Sequence, residues 1–273
     1  MTPQAETEPG RSAGPGPGAR RKPQAAPGAT GRRGGGSATA RAVQVPIWDL
    51  PDRGERGPKP RHDRAAIAAT AVRLADAEGL DALTMRRVAE TLGMGTMSLY
   101  NYVPAKEHLA QLMIDQISGE YAYPPAPPPD NRPAIADLAR QARDITRRHP
   151  WLPRLLHRPP PPGPNGLRYL DYFLGLLAGS RLDTSAKMEV IALISGFAVM
   201  YGGMQAALAE ERAGTGVSAD QQAAAEVSAF ARAVGSGRYP NLAAALTLPG
   251  PVRNEDGVFE SCLARLIDVA MAG

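Results

Sequence analysis

Thr96, Met97, Tyr100 and Asn101 fall on one face of a short helical pattern, and their side chains suit contact with the edges of stacked bases in a duplex groove. Thr96 and Met97 lead that helix, where base edges are nearest, and Met97 could touch a thymine methyl rather than form a hydrogen bond. Tyr102 continues the run and is expected to be half in the core. Arg86 stands near the start of the preceding helix, close to a groove edge, with Arg87 beside it. A bidentate arginine at a guanine edge supplies about 1 to 3 kcal/mol of discrimination.

The elements that must position these side chains are written into residues 83–102, LTMRRVAETLGMGTMSLYNY. With Met85 as the first position of a helix-turn-helix, Ala89 is fifth, where two helices cross closely and a larger side chain would part them. Gly93 is ninth, in a turn that positive φ relieves at no Cβ cost. Val88, Leu92, Met94 and Leu99 recur on the inward side. An ordinary helical hairpin in an unrelated α domain would carry the same pattern, but the flanks add to it. Asp63 can cap a helix whose Ile67, Ala68, Ala71, Leu74 and Ala75 share a stripe, with a stop at Glu78-Gly79. Pro104 ends the second motif helix, and a fresh helix from Lys106 carries Leu109, Leu112, Met113 and Ile117 as far as the proline run at 123–129.

Residues 64–109, with their amphipathic first helix, Gly79, the Leu83-Thr84 helix start, Leu99-Tyr100 and Lys106, resemble the DNA-binding domain of the TetR family of one-component transcriptional regulators. The resemblance implies an all-α fold: an N-terminal three-helix helix-turn-helix head, joined by a linking helix to a larger helical ligand-binding and dimerisation domain. It also implies that Arg86 contacts a base or phosphate, that Tyr100 binds phosphate and that Lys106 holds the DNA backbone. In that family the last two long helices pair with those of a second subunit, and Gly196, Ala198, Gly202 and Gly203 would permit such a close approach, though internal packing would use them equally well.

Charge is unevenly spread. The net charge is +4, yet residues 1–62 hold eleven Lys or Arg against five Asp or Glu, leaving the remainder at −2. Ten prolines and eleven glycines in that extension leave too little apolar surface to offset ordering entropy, so residues 1–44 are expected to be a disordered basic tail. A solvated tail accounts for Arg20, Arg21, Arg32 and Arg33 as readily as a functional one. Residues 45–62 read as an arm: Trp48, beside Ile47 and Leu50, can dock on the helical head, and Arg56, Lys59 and Arg61 alternate with prolines in a stretch suited to phosphates or a minor groove. The head, 63–121, has five basic residues, Arg64, Arg73, Arg86, Arg87 and Lys106, against eight acidic ones. A net acidic head needs that arm, or segregated charge, to approach a polyanion.

Residues 130–273 form the second domain. Asp130 or Asn131 starts a helix to His149-Pro150, a loop is expected at 151–165, and an apolar helix runs from Leu167 to Gly179. Thr184 caps a long helix reaching Glu211, and a last helix spans Glu255 to Ala270. Candidates to line a ligand pocket are Trp151, Tyr169, Tyr172, Phe173, Met188, Met200, Tyr201 and Met204, all of which serve a plain core as well. His149 and His157 match no metal-ligand spacing, and no metal or cofactor is expected beyond an effector that cannot be read. Cys262, the one cysteine, excludes an internal disulfide and suits a core position. The longest apolar stretch, 190–204, falls short of the roughly 18 residues that span a bilayer, so a cytoplasmic protein without membrane contact is expected. Catalysis is not expected, because no nucleophile elbow, phosphate-cradling loop or paired-carboxylate face appears. The partners expected are an inverted-repeat duplex operator, a second copy of the chain and a small hydrophobic ligand, with repression as the outcome. Two other readings stay open: a nonspecific nucleic-acid binder driven by the basic tail, and a helical small-molecule-binding or enzymatic protein with no DNA preference.

Overall fold

Asp63 begins the first long helix by accepting a hydrogen bond from the Ala66 amide, and Gly79, at φ 81°, ends it. Around that helix the computed structural model describes residues 45–51, 62–124, 130–215, 219–246 and 254–272, and among these the structure is all-helical. The basic tail, 1–44, and arm residues Arg56, Lys59 and Arg61 lie outside the described residues.

The head comprises α1 (Arg64–Glu78), α2 (Met85–Thr91), α3 (Thr96–Tyr100) and α4 (Lys106–Ser118). Thr84 caps α2 through the Arg87 amide, and Gly93 turns the chain at φ 65°, the left-handed conformation that glycine enters freely. Ile67, Ala71, Val88, Ala89, Leu99 and Val103 are fully buried between these helices. The head core does not close on itself: Ile145, Trp151 and Leu152 of the second domain belong to the same apolar cluster.

The second domain contains α5 (Asn131–Arg148), α6 (Leu152–Leu156), α7 (Pro164–Leu176), α8 (Thr184–Thr215), α9 (Ala219–Gly235), α10 (Pro240–Leu246) and α11 (Glu255–Ala272). Its core joins Ile135, Leu138 and Ala142 of α5 with Phe173 and Leu176 of α7, Ile191, Ile194 and Ala198 of α8, and Phe259 and Leu263 of α11. Helices α5 and α8 touch backbone to backbone. A Cβ on Gly202 would lie 2.5 Å from the Arg143 carbonyl oxygen, and one on Gly203 would lie 3.0 Å from Pro153 Cγ. Gly202, Gly203 and the fully buried Ala198 therefore serve packing within the chain, the second of the two uses open to them.

Four expectations change. The 151–165 segment is not all loop, because Pro153 fits the first turn of α6. Helix α7 ends at Leu176, before Gly179, and α8 runs on to Thr215. By length and composition alone, 184–214 is long and apolar enough to cross a membrane, contrary to the reading of 190–204 as too short. The apolar character continues around α8 because one side, with Val190, Ile191, Ile194 and Ala198, is buried in the core while Leu193, Met200 and Met204 are exposed opposite.

Candidate functional site

The outer face of α3 is built by burying its inner one. Leu99 is wholly enclosed, while Met97 on the opposite side is 78% exposed, with Tyr100 and Asn101 also open to solvent. Thr96 is half-buried at the start of α3, and Lys106 is exposed at the first residue of α4. Thr96, Met97, Tyr100 and Asn101 therefore share the short segment that the sequence assigned to them. Tyr102 is half-buried, and its carbonyl accepts a hydrogen bond from Arg64 Nε at 3.2 Å.

The two arginines of α2 differ. Arg86 is solvent-exposed and, among the described residues, paired with Glu90 one turn on, at 2.7 Å, a contact that a surface side chain exchanges easily. Arg87 turns back to α1 and forks Glu78 at 2.6 and 3.3 Å. Those hydrogen bonds hold the Glu78 carboxyl below its usual range, with burial opposing and the Arg87 charge adding.

Half of the head's acidity is directed to the second domain. Asp76 receives Trp151 Nε1–H and the His149 ring at 2.7 Å each, and Asp81 accepts a fork from Arg154. Glu120 pairs with Arg148 at 2.6 Å and with His149 Nε2 at 2.9 Å. Burial pushes the Glu120 carboxyl up, but the hydrogen bonds and charges of Arg148 and His149 leave it below its usual range. Asp115, buried on α4, accepts the Asn165 and Gly166 amides of α7's first turn at 2.9 and 3.0 Å. Four of the eight acidic residues thus bond to the second domain, and α3 itself carries no charge. Spacing offered a signal for part of this: His108, Gln111 and Asp115 are buried polar residues at helical period on α4.

Between α6 and α8, a solvent-open cavity of about 540 Å³ is lined by Pro150, Pro153, Leu156 and His157 on one side and Ser195, Gly196, Val199, Met200 and Gly203 of α8 on the other. Of the expected pocket residues, Met200 lines it. The others are placed elsewhere. Phe173 and Tyr201 are buried in the second core, and Trp151 is held by Asp76, because large aromatic side chains gain most by full burial. Met188 and Met204 are exposed. Tyr169 packs on Tyr121 with the rings tilted by 37° and shares a 2.6 Å hydrogen bond with Ser195, while Tyr172 packs on Tyr123. Burial pushes the Tyr169 hydroxyl up to about 12, the Ser195 bond partly opposing, so it is a neutral hydrogen-bonding group behind the cavity wall. Residues of this wall were missed where a loop was read in place of α6. His149 is bound between two carboxylates, His157 lies at the cavity rim and Cys262 is half-buried and free; among the described residues no cluster is arranged to hold a metal ion.

Residues 67–113 match the model for bacterial regulatory proteins of the tetR family, and residues 124–269 match that for the tetracyclin repressor-like C-terminal domain. The chain is 36% identical over 223 residues to the HTH-type transcriptional repressor DrrR1 of Streptomyces coeruleorubidus, covering 79% of this chain and 82% of that protein. It is also similar to ActR, a TetR family protein of Streptomyces coelicolor. The structure of ActR with actinorhodin superposes with a TM-score of 0.65 at 28% identity, over 78% of this chain and 99% of the other, and apo ActR gives 0.63. An HTH-type transcriptional regulator of Saccharopolyspora erythraea is 27% identical over 163 residues, 60% of this chain and 69% of that one. With a helix-turn-helix head, an all-helical second domain and family matches over both, this chain belongs to the TetR family of DNA-binding transcriptional regulators.

Proposed function

We propose that the chain acts in the cytoplasm as a homodimeric, non-enzymatic repressor that binds an inverted-repeat operator and leaves it when a small, largely apolar molecule occupies the second domain. The observation that carries this reading is Met97: a large apolar side chain held 78% exposed on a helix whose other face is sealed by Leu99. Presentation of that kind costs apolar exposure and is repaid on contact with a thymine methyl or a base edge. Thr96, Met97, Tyr100 and Asn101 would face the groove, Arg86 its edge, and Lys106 the phosphates. Arg87 and Tyr102, engaged by Glu78 and Arg64, would act by holding α2 and α3 in place. Arg56, Lys59 and Arg61 would add backbone charge from the arm. Two heads on a two-fold axis fit half-sites about 34 Å apart.

The ligand reading is supported by the cavity between α6 and α8, whose prolines, Val199, Leu156 and Met200 offer an apolar wall with Ser195 and His157 as polar points. The relative ActR is known in complex with actinorhodin, and a small, largely apolar organic molecule is the class of effector proposed here. About a hundredfold preference for the non-binding spacing of the heads would supply roughly 2.7 kcal/mol of coupling.

Selection from a random duplex library at about 150 mM salt tests the central claim. An enriched palindrome with two half-sites one helical turn apart is the expected result. Retention without any sequence preference, abolished at higher salt, would identify a tail-driven nonspecific binder instead.

A further inference from the structure

We infer that Arg64 is a positioning residue for DNA reading: it clamps the end of the recognition segment to an N-terminal strap, residues 45–51, that is seated at the same time on the second domain. The inference rests on the reading of α3 as the DNA-contacting helix.

The strap lies ahead of both matched family domains, the first of which begins at residue 67. It is nonetheless built in. Ile47 is fully buried in the head core, its amide donates to Gln111 Oε1 at 2.7 Å, and the Val45 carbonyl lies 3.0 Å from His108 Nε2. The Arg64 guanidinium gathers three of the strap's carbonyls. Nη1–H donates to Ile47 and Leu50 at 3.0 and 3.1 Å, and Nη2–H to Pro51 at 3.1 Å. The third nitrogen, Nε, donates to the carbonyl of Tyr102, two residues beyond the end of α3. One planar cation therefore ties three strap carbonyls to the exit of the recognition helix. Only arginine has donors fixed in that fork.

The other side of the strap reaches α7. A Cβ on Gly163, the residue capping α7, would lie 2.3 Å from Trp48 Cζ2 and 2.5 Å from Asp115 Oδ1, so the indole fills the space a side chain would need. Asp115 of α4 closes the same corner by capping α7. A shift of α7 against α4 therefore bears on Trp48, and through the strap and Arg64 on the carbonyl end of α3. Arg64 makes four hydrogen bonds to backbone carbonyls of its own chain, where a phosphate-binding arginine would turn its fork toward DNA.

Operator binding by full-length variants, read as affinity and as the slope of log affinity against log salt, tests this. Arg64→Lys keeps the charge and removes the fork; it should weaken binding roughly tenfold, about 1.4 kcal/mol, with the salt slope unchanged. Trp48→Ala should weaken it similarly although no charge is altered, and the double variant should fall well short of the product of the two losses. Gly163→Ala, which pushes a methyl group into the Trp48 seat, is the second route should Arg64→Lys not fold. All affinities are taken well below each variant's unfolding temperature. Binding by Arg64→Lys within twofold of wild type, or a slope reduced by about 0.9 in Arg64→Ala as for a lost phosphate contact, overturns the inference. Wild-type protein with no preferred duplex would refute the regulator reading and this inference with it, whereas a selective wild type with an unaffected Arg64→Lys would refute the inference alone.

Discussion

Gly202 and Gly196 sit less than two turns apart on α8, yet a methyl group should have opposite effects at the two sites. At Gly202 the added Cβ would lie 2.5 Å from the Arg143 carbonyl oxygen and 2.9 Å from Thr146 Cβ. Comfortable carbon contacts begin near 3.5 Å, so α5 and α8 would have to part by about 1 Å. Neither neighbour yields cheaply: the oxygen belongs to the α5 backbone, and Thr146 is fully buried with its hydroxyl bonded to Ala142 O at 2.8 Å. Overpacking costs about 1 to 3 kcal/mol, with the upper end expected against backbone, while replacing a helical glycine by alanine returns about 1 kcal/mol. The net expectation for Gly202→Ala is destabilisation by about 2 kcal/mol, or about 4 to 8 °C in Tm for a domain of this size. At Gly196 nothing lies within 4 Å, so the propensity gain stands alone and Gly196→Ala should raise Tm by about 2 to 4 °C. Thermal and urea unfolding followed by circular dichroism, at one fixed protein concentration because self-association shifts Tm, would measure both. Equal shifts in the two variants would refute the argument that close approach of α5 selects glycine at 202.

Other consequences can be measured separately. Arg86→Ala should raise the operator Kd by about tenfold or more, whereas Glu90→Gln, which releases Arg86 and removes a negative charge from the same face, should leave binding equal or tighter; an electrophoretic mobility titration checks both. Arg140 forks both oxygens of Glu260 at 2.8 Å, and these bonds hold that carboxyl below its ordinary 4.5, burial opposing and the Arg140 and Arg143 charges adding. Because the folded value is the lower one, this contribution is complete above pH 4.5 and is lost as pH falls through the folded value, so Glu260→Gln should flatten the loss of Tm below pH 4.5 while lowering Tm at neutral pH. Val199→Trp should fill the cavity between α6 and α8, leaving operator affinity within about threefold but abolishing release by any small molecule that frees the wild type; retained release would place the effector elsewhere.

The head was legible because local rules and tertiary demands agree there. Asp63, Thr84, Gly79 and Gly93 each announce a helix end by their own chemistry, and the inward stripe of Val88, Ala89 and Leu99 is buried as its spacing requires. The second domain was legible as a run of helices but not as a surface. Periodicity says that Phe173, Tyr201 and Met200 lie on helices; it does not say that the first two enter the core while Met200 faces a cavity, since that depends on how α6 and α8 meet. A proline-rich stretch concealed α6, and Gly202 gave no sign of whether its near neighbour would be α5 or a second chain. Side chains that act by bonding across the chain, such as Arg64, Asp115 and His149, were the least visible, because their partners are 13 to 73 residues away.

Those distant bonds decide how the two domains can communicate. If the head were joined to the second domain by α4 alone, a ligand would have one lever, and the angle between the domains would be soft. Instead α1 is tied through Asp76 to His149 and Trp151 at the end of α5, the α1–α2 turn through Asp81 to Arg154 of α6, and α4 through Asp115 to α7. Leu152 and Leu155, on α6 itself, pack into the head core, while Pro153 and Leu156 of the same short helix line the cavity. A molecule that pushes α6 away from α8 therefore moves residues already embedded in the head, and it works against the Asp81–Arg154 pair and the α1–α5 bonds. The junction is therefore mixed, an apolar seat for Leu152 and Leu155 ringed by polar bonds, and any shift of α6 must slide the first and break or re-form the second.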